Sequence, residues 1–212
     1  PDIDELMMGS EGSFGILTNV TLRFFKYRPE TRKKFSFIFK TWEDGMKACR
    51  EIMQNESGFP SVFRLSDAEE TDMALKLYGV EGTIAETAMN LMGYKPMKRC
   101  LFLGWSEGAK EFSKQLYKKV KRICKQNGGL FLTGKPVDGW EHGRFTDPYL
   151  RESLQDYGVI IDTMECSVTW DMMPKVHEEV RRFAKSRPHT VCMTHLSHAY
   201  PQGANLYFIF IG

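Results

Sequence analysis

The sequence predicts an α+β fold in which helices pack on one face of a largely antiparallel sheet made of ferredoxin-like repeats. Three observations favour this class. Strand patterns alternate with helix patterns along the 212 residues. Phe35, Phe37 and Phe39 recur at every second position, which is typical of a half-buried strand. The last two strand patterns flank Tyr200-Pro201-Gln202-Gly203, a turn signal that makes them a hairpin.

Short apolar runs bounded by turn residues or charges predict the strands. The run before Ser106 is apolar at consecutive positions, as expected of a strand buried on both faces. The predicted strands are residues 16–25, 34–40, 62–65, 100–105, 130–133, 159–168, 190–199 and 204–211.

Helical spacing of apolar residues, together with capping residues, predicts the helices. The first three are residues 42–55 after the cap Thr41, a helix from Ser66 or Asp67 to about residue 78, and residues 83–92. The last three begin at Ser106, at Asp147 with Pro148, and at Asp171.

The apolar stripes of these helices are predicted to face the core. Their members are Phe112, Leu116, Val120 and Ile123, then Leu150 and Leu154, then Val176, Val180 and Phe183. Residues 93–98 are predicted to be a loop that could belong to a substrate lid. Residues 134–145 are predicted to be an irregular loop, in which His142 and Arg144 are possible lid residues; His177 is interpreted as a surface residue.

Composition excludes several classes of partner. The net charge is only +2, so nothing indicates nucleic acid or an acidic surface. The five cysteines are widely spaced and form no Cys-x-x-Cys pair, which favours a reducing compartment without zinc or disulfides. Since no signal peptide or membrane-spanning run is present, we expect a cytoplasmic protein without a transmembrane segment.

The two ends of the sequence predict a piece of a longer protein. The chain begins with Pro1 and stops at Gly212, directly after an apolar run. A targeting segment could therefore precede it. Pro29 and the charges around it indicate a domain boundary, which divides the chain into residues 1–28 and 29–212.

A glycine-rich run precedes the first predicted strand. Its glycines recur at every third position and allow positive φ and a close approach to a bound group. Because the strand follows the glycines, the run does not fit a nicotinamide-binding fingerprint, and a purely structural turn stays open at this point. The run is Gly9-Ser10-Glu11-Gly12-Ser13-Phe14-Gly15-Ile16-Leu17-Thr18.

This run resembles the signature that closes the FAD-binding domain of the FAD-linked oxidases, the vanillyl-alcohol-oxidase type of flavoproteins. The resemblance implies FAD as the cofactor and makes residues 1–28 the tail of the FAD-binding domain. Residues 29–212 are then the substrate domain, truncated at its C-terminus, and are similar to the alkyldihydroxyacetonephosphate synthase branch. The implied cofactor contacts are Gly9, Ser10, Glu11, Gly12, Gly15, Ile16 and Arg64.

Two arginines are candidate anion-binding residues. Arg64 lies inside an apolar strand and needs a partner, so it either pairs with Asp67 or Glu70 or contacts an anion or the flavin. Arg151 in Tyr149-Leu150-Arg151-Glu152 is either solvated or, as the resemblance implies, the residue that binds the phosphate or carboxylate of the substrate.

Titratable groups cluster near the end of the chain. His195 is predicted on one strand face, with His198 and Tyr200 on the other, a spacing that does not suit a shared metal ion. The resemblance implies that Tyr200 is the proton-transferring acid or base. Animal synthases have arginine where this chain has His195 and glutamine where it has His198. Thr163 and Glu165 lie two residues apart and could line the same cavity.

The resemblance implies an enzyme of ether-lipid synthesis, which exchanges acyl for alkyl on dihydroxyacetone phosphate with the help of the flavin. Two alternatives stay open: FAD-dependent oxidation of a 2-hydroxy acid such as lactate or glycolate, and a non-catalytic scaffold. We expect an anionic, lipid-like or small-molecule substrate and a possible homodimer. We also expect this piece by itself to be inactive.

Overall fold

The computed structural model describes residues 2–146 and 149–212, whose seven strands form one sheet. The strands are β1 (Lys33–Phe39), β2 (Val62–Ser66), β3 (Cys100–Ser106), β4 (Leu130–Thr133), β5 (Ile161–Thr169), β6 (Val191–Ser197) and β7 (Gly203–Ile211). They lie in the order β4-β1-β3-β2-β6-β7-β5, and every neighbouring pair is antiparallel.

Helices connect most of the strands. They are α1 (Ile3–Met7), α2 (Trp42–Gln54), α3 (Ala68–Leu77), α4 (Ile84–Leu91), α5 (Lys110–Gln126), α6 (Lys135–Gly143), α7 (Leu150–Gln155) and α8 (Met173–Ala184). The Oγ1 of Thr41, the carboxylate of Asp67 and the Oγ1 of Thr83 accept backbone hydrogen bonds at the starts of α2, α3 and α4.

The same topological unit occurs twice in the sheet. The unit β1-α2-β2-β3 gives the spatial order β1-β3-β2, and the unit β5-α8-β6-β7 gives the order β5-β7-β6. The two units meet where β2 pairs with β6. This arrangement confirms the predicted α+β class and its antiparallel sheet of ferredoxin-like repeats.

One face of the sheet carries the main core under α2, α5 and α8. Phe35, Phe37 and Phe39 point to this face and have no solvent exposure. Burying such aromatic side chains supplies most of the apolar driving force for folding. The helices add Ile52, Leu116, Val120, Ile123 and Met173 to this core.

The opposite face is covered only in part. Helix α6 packs Val137 and Trp140 against Leu101, Leu103 and Trp105 of β3. Beside it, α4 contributes Met89 to a small cluster with Ile38 and Tyr94. Because side chains alternate along a strand, the outward residues of β2, β6, β7 and β5 lie beyond this cover. We call six of them the polar face: Arg64, His195, Asn205, Tyr207, Thr163 and Glu165.

Helix α3 continues β2 between its two neighbouring strands. On one side the backbone N–H of Asp67 donates to the carbonyl of Thr194 on β6 at 2.8 Å. On the other side the N–H of Leu101 on β3 donates to Thr71 Oγ1 at 2.8 Å. The helix therefore replaces strand hydrogen bonds with side-chain and capping bonds, and it brings Glu70 to the edge of the polar face.

The predicted strand at residues 16–25 is absent from the structure, so this prediction was wrong. The segment has no regular secondary structure, and Ile16, Val20, Leu22 and Phe24 are largely exposed. A strand forms only where a neighbour satisfies its backbone groups. Among the described residues no strand pairs with this segment.

Several helix predictions need correction at their starts. Ser106 does not cap α5: it is the last residue of β3, and its Oγ donates to the carbonyl of Ser113 at 2.9 Å. Asp171 does not cap α8, because the N-cap residue is Met172 and the helix begins at Met173. The predicted start at Asp147 and Pro148 lies outside the described residues.

Three predicted core residues are exposed in part or in full. Phe112 and Leu150 are half exposed and Phe183 is 74% exposed, because a short apolar stripe fixes the buried face only to within one neighbouring position. In α5 the small Ser113 is buried beside Phe112. Residues 134–145 are not an irregular loop, since α6 occupies most of them and uses Pro136 in its first turn.

His177 is not the surface residue that its polar neighbours on α8 suggest. Its ring stacks on Trp42 at 4.5 Å between centroids, and Nε2 lies 3.3 Å from Asp67 Oδ2. The Asp67 carboxylate is also paired with Arg181. Burial lowers the pKa of His177 to about 4, so the ring is neutral at pH 7.

The described cysteines are free thiols, and Cys49, Cys100 and Cys124 are buried. Burial raises the pKa of these three thiols, which makes them unreactive. No group of His, Cys, Asp or Glu in residues 2–146 and 149–212 is arranged to hold a metal ion. Every helix within these ranges is too short or too polar to cross a bilayer.

Gly104 should be required by the packing of β3 between β1 and β2. A Cβ at this position would lie 2.2 Å from the carbonyl oxygen of Val62 and 3.1 Å from the ring of Phe35. We expect Gly104→Ala to lower the free energy of unfolding by roughly 2 kcal/mol or more in urea denaturation. Gly139 lies inside α6, and a Cβ there would make ordinary van der Waals contact with Tyr78. The control Gly139→Ala should therefore be neutral or stabilising by up to about 1 kcal/mol. Equal effects would contradict this packing.

Stability should fall on acidification because of His177. An unfolded histidine titrates near 6.5 and the folded one near 4, so between these values the unfolded state binds more protons. We expect the free energy of unfolding to drop by about 2 to 3 kcal/mol from this residue between pH 7 and 4.5. The variant His177→Phe should lose this component of the pH dependence, whereas His142→Gln, at an exposed position, should keep it. Identical pH profiles for the wild type and His177→Phe would contradict the assignment.

Candidate functional site

Arg64, Glu70 and His195 form a compact cluster at the inner edge of the polar face, which we call the Arg64 cluster. Arg64 Nη2 donates to Glu70 Oε1 at 2.8 Å, and His195 Nδ1 lies 2.9 Å from the same oxygen. Arg64 Nη1 approaches His195 Nε2 at 3.3 Å. Of the partners predicted for Arg64, the structure selects Glu70, while Asp67 pairs with Arg181.

The contacts of His195 define its protonation. A guanidinium can only donate, so Nε2 accepts from Arg64. Nδ1 then carries the proton and donates to the Glu70 carboxylate, which gives a neutral ring with a defined tautomer. Burial lowers the pKa of His195, and the neighbouring Arg64 lowers it further, although Glu70 opposes them.

Glu70 is ionised although it is buried. Burial alone would raise its pKa, but Arg64 and His195 outweigh this and hold the pKa at about 2. At neutral pH the cluster therefore contains one cation, one anion and one neutral ring. The charge of Arg64 is compensated within the protein before any ligand binds.

Tyr207 and Glu165 extend the polar face across β7 and β5. The Tyr207 ring stacks on His195 at 4.9 Å between centroids. Glu165 is opposite Tyr207 in the strand register, and its carboxylate accepts a 2.7 Å hydrogen bond from Asn205 Nδ2. Glu165 and Thr163 are both exposed, so this end of the polar face can be reached by a ligand.

Aromatic and cationic groups border the polar face on the α6 side. The guanidinium of Arg64 lies 5.9 Å and that of Arg144 4.7 Å from the centroid of a Trp140 ring. Such cation–π contacts hold both guanidinium groups near the indole. Arg144 itself is exposed, and Arg64 keeps part of its side chain in solvent.

Tyr200 and His198 lie beyond the end of β6, in the turn before β7. The carbonyl of Tyr200 accepts from Trp170 Nε1 at 3.0 Å, and its side chain is 60% exposed. His198 has φ of 45° and its Nδ1 lies 3.1 Å from Ser197 Oγ. The backbone of Tyr200 contacts Trp170 and Gly203, whereas the ring of His195 contacts Arg64, Glu70 and Tyr207.

Arg151 and the glycine-rich run are both at the surface. Arg151 is exposed on α7. Gly9 and Gly12 have positive φ values of 77° and 83°. A Cβ at either position would meet no heavy atom within 4 Å, so the backbone there is open to a close approach.

The sequence prediction names Glu70 only as a possible partner of Arg64 and assigns no role to Tyr207, Asn205 or Trp140. Tyr207 and Asn205 give weak signals, because an isolated polar residue in a strand does not show which face it occupies until the register is known. Trp140 lies on α6, within residues that the sequence predicts to be an irregular loop. The alternation of β7 could have placed Asn205 and Tyr207 on one face.

The family of the chain is shown by its sequence. Residues 28–212 match the family described as FAD linked oxidases, C-terminal domain, and the chain belongs to this family of oxidoreductase-type enzymes. The assignment of residues 1–28 to an FAD-binding domain stays a prediction.

Particular relatives support the same family. The chain is 27% identical over 219 residues to an alkyldihydroxyacetonephosphate synthase of Dictyostelium discoideum, across 97% of this chain and 35% of that protein. It is 25% identical over 225 residues to the FAD-linked oxidoreductase YgcU of Escherichia coli strain K12, across 99% of this chain and 42% of that protein. A solved alkyldihydroxyacetonephosphate synthase has the same fold, with a TM-score of 0.80 at 24% identity over 98% of this chain and 41% of that one. The chain thus spans about two fifths or less of these relatives.

The residues present fit the cofactor of this family. The open backbone at Gly9 and Gly12 suits a close approach by a diphosphate. The polar face offers an exposed carboxylate acceptor at Glu165, an aromatic ring at Tyr207 and a partly exposed guanidinium at Arg64. These groups are of the kinds that hydrogen-bond and pack against a flat, polar ring system.

Arg64 should be needed to keep Glu70 buried as an anion. Removing one member of a buried ion pair leaves the other uncompensated, at a cost of about 3 kcal/mol. We therefore expect Arg64→Met to lower the free energy of unfolding by roughly this amount, and Glu70→Gln combined with it to recover part of the loss.

Urea denaturation of the single and double variants measures this coupling. Arg122→Met on the exposed side of α5 is the matched control and should change stability by less than about 0.5 kcal/mol. An Arg64→Met effect no larger than that of the control would show that the ion pair does not stabilise the fold.

Proposed function

We propose that this domain supplies the substrate-side wall of the active site in an FAD-dependent enzyme. The observation that carries the proposal is the polar face, which the helices leave accessible at Thr163 and Glu165 of the edge strand β5, while they bury the other side of β1, β2, β3, β6 and β7. Placing hydrogen-bonding groups on a rigid sheet is an effective way to orient a cofactor and a substrate.

The reaction that we propose is the exchange of acyl for alkyl on dihydroxyacetone phosphate. Its support is the similarity to relatives named alkyldihydroxyacetonephosphate synthase, which are 27% identical to this chain in two organisms. FAD, when bound, would supply the electron-pair chemistry at the reacting carbon. The protein groups would bind the anion and move protons.

The proposed anion site uses arginines that pair with no carboxylate of residues 2–146 and 149–212. Because Arg64 is already neutralised by Glu70, it is a weaker candidate for the substrate phosphate than exposed arginines are. Arg151 on α7 and Arg144 at the end of α6 are exposed, and neither forms an ion pair with a described residue. We propose Arg151 as the principal anchor of the substrate anion, since a guanidinium binds a phosphate through two parallel hydrogen bonds.

Tyr200 is proposed as the acid or base, with His195 and His198 as the other titratable candidates. The Tyr200 side chain is accessible, and the turn that carries it is fixed by the Trp170 hydrogen bond to its carbonyl. We expect Tyr200 to reach the substrate in the full-length enzyme. We also propose that residues 1–28 contact FAD through Gly9, Ser10, Glu11, Gly12, Gly15 and Ile16.

A second candidate function is the oxidation of a 2-hydroxy acid. The pairing of His195 Nδ1 with Glu70 favours it, because a carboxylate behind a histidine is a common arrangement of a general base. In this case an arginine would bind the substrate carboxylate and His195 Nε2 would take the hydroxyl proton. Nε2 would first have to lose its contact with Arg64.

The two reactions are distinguished in the full-length protein that contains this chain, purified with its flavin. Oxidised flavin should keep its absorbance under anaerobic conditions when lactate or glycolate is added, and acyl-dihydroxyacetone phosphate with a fatty alcohol should give an ether lipid. Bleaching by a hydroxy acid without ether formation would contradict the synthase and support the second candidate. A full-length protein that binds no flavin would contradict both and leave the scaffold interpretation.

Tyr200→Phe should reduce turnover on the order of 10²-fold or more, because general acid–base catalysis contributes at least that factor. Tyr157→Phe, at another exposed tyrosine, is the control and should leave turnover unchanged. Flavin content should be equal in all three proteins. Wild-type turnover in Tyr200→Phe would remove Tyr200 from the mechanism.

A further inference from the structure

The geometry of the Arg64 cluster points to a role for Glu70 beyond its ion pair with Arg64. We propose that Glu70 is a positioning residue, which fixes His195 as the neutral Nδ1–H tautomer and orients Arg64 toward Nε2. This inference rests on the proposed function, because it concerns the acid–base and anion-binding groups of the same polar face.

A single carboxylate oxygen of Glu70 holds both Arg64 and His195 in position. Arg64 Nη2 and His195 Nδ1 both lie within 2.9 Å of Glu70 Oε1. Their shared acceptor places the second guanidinium nitrogen, Nη1, beside His195 Nε2. The three contacts close a ring of hydrogen bonds in which each donor has one defined acceptor, so the imidazole can neither flip nor change tautomer without breaking two of them.

Glu70 is itself held by the start of α3. Its backbone N–H donates to Asp67 Oδ1 at 2.9 Å, and Asp67 is the N-cap of the helix. Asp67 is fixed in turn by Arg181 on α8 and by the backbone of β6. The carboxylate therefore projects from an anchored first turn, where the helix dipole favours a negative charge.

Other polar groups also lie near His195. His198 is a titratable neighbour, Tyr207 covers one ring face by stacking, and Ser66 is opposite His195 in the strand register. None of these replaces the carboxylate as the acceptor for Nδ1–H. Nε2 becomes available to a substrate proton only when Arg64 Nη1 turns to another acceptor, such as a substrate anion.

Nuclear magnetic resonance of the imidazole nitrogens tests the assignment without flavin or turnover. In the wild type at pH 7, long-range ¹H–¹⁵N spectra should show His195 predominantly as the Nδ1–H tautomer, with His195→Gln used to assign its signals. Glu70→Gln keeps an oxygen acceptor and should preserve the tautomer, whereas Glu70→Leu should lose the preference for Nδ1–H. Glu165→Gln, which changes a carboxylate that does not contact His195, should leave the signals as in the wild type.

An Nε2–H or a protonated His195 in the wild type would overturn the proposal, and so would a Glu70→Leu variant that keeps Nδ1–H. If Glu70→Leu does not fold, the wild-type spectra still decide the tautomer, and the pH profile of Glu70→Gln decides the positioning role. A second arm measures turnover against pH in the flavin-loaded full-length protein. Glu70→Gln should move the acidic limb of the profile, and an unmoved limb would overturn the positioning role. A full-length protein without flavin would remove the proposed function, while the tautomer is still decided by the spectra.

Discussion

Burial of one face of the sheet beneath α2, α5 and α8 is the constraint on which the rest of the molecule depends. The phenylalanines of β1, the stripe of α5 and Leu196, Leu206 and Phe208 of the second unit all point to this face. Strand alternation then forces the intervening residues to the opposite side. At β1, β3 and β4 that side is covered by α4 and α6, whereas on β5 it carries Thr163 and Glu165, which are exposed. The site is thus a consequence of the core, since a shift of one residue in register would exchange the two faces.

Within the polar face, the positive charge of Arg64 is compensated by Glu70 before a ligand binds. Glu70 lies at the start of α3, which continues the short strand β2 between β3 and β6. This position allows a buried carboxylate to neutralise Arg64 and to accept from His195. An arginine that is already paired gives up that interaction to bind another anion. The exposed Arg144 and Arg151 form no ion pair with a described residue, so within that part of the chain they carry no such cost.

Sequence patterns predicted the strands and helices of residues 29–212 where local signals agree. Thr41 caps α2 as predicted, and the turn from Tyr200 to Gly203 joins β6 and β7. The predicted strand at residues 16–25 does not form, because strand formation depends on a hydrogen-bonded neighbour and not only on the apolar residues of the segment itself. The burial of His177 and the role of Glu70 also depend on distant elements, since their partners lie on α2, β2, α3 and β6. The glycine-rich run indicated the family, but only the register showed which side chains share one face.

We propose that the polar face lies against the flavin. A crystal structure of the full-length protein with FAD bound would give the shortest distances from the flavin ring atoms to Tyr207, Glu165 and Arg64. We expect the ring to lie in van der Waals or hydrogen-bonding contact with at least two of these three residues. A flavin ring that lies on the side of α2, α5 and α8, or a polar face that is covered by another part of the protein without the flavin, would contradict it.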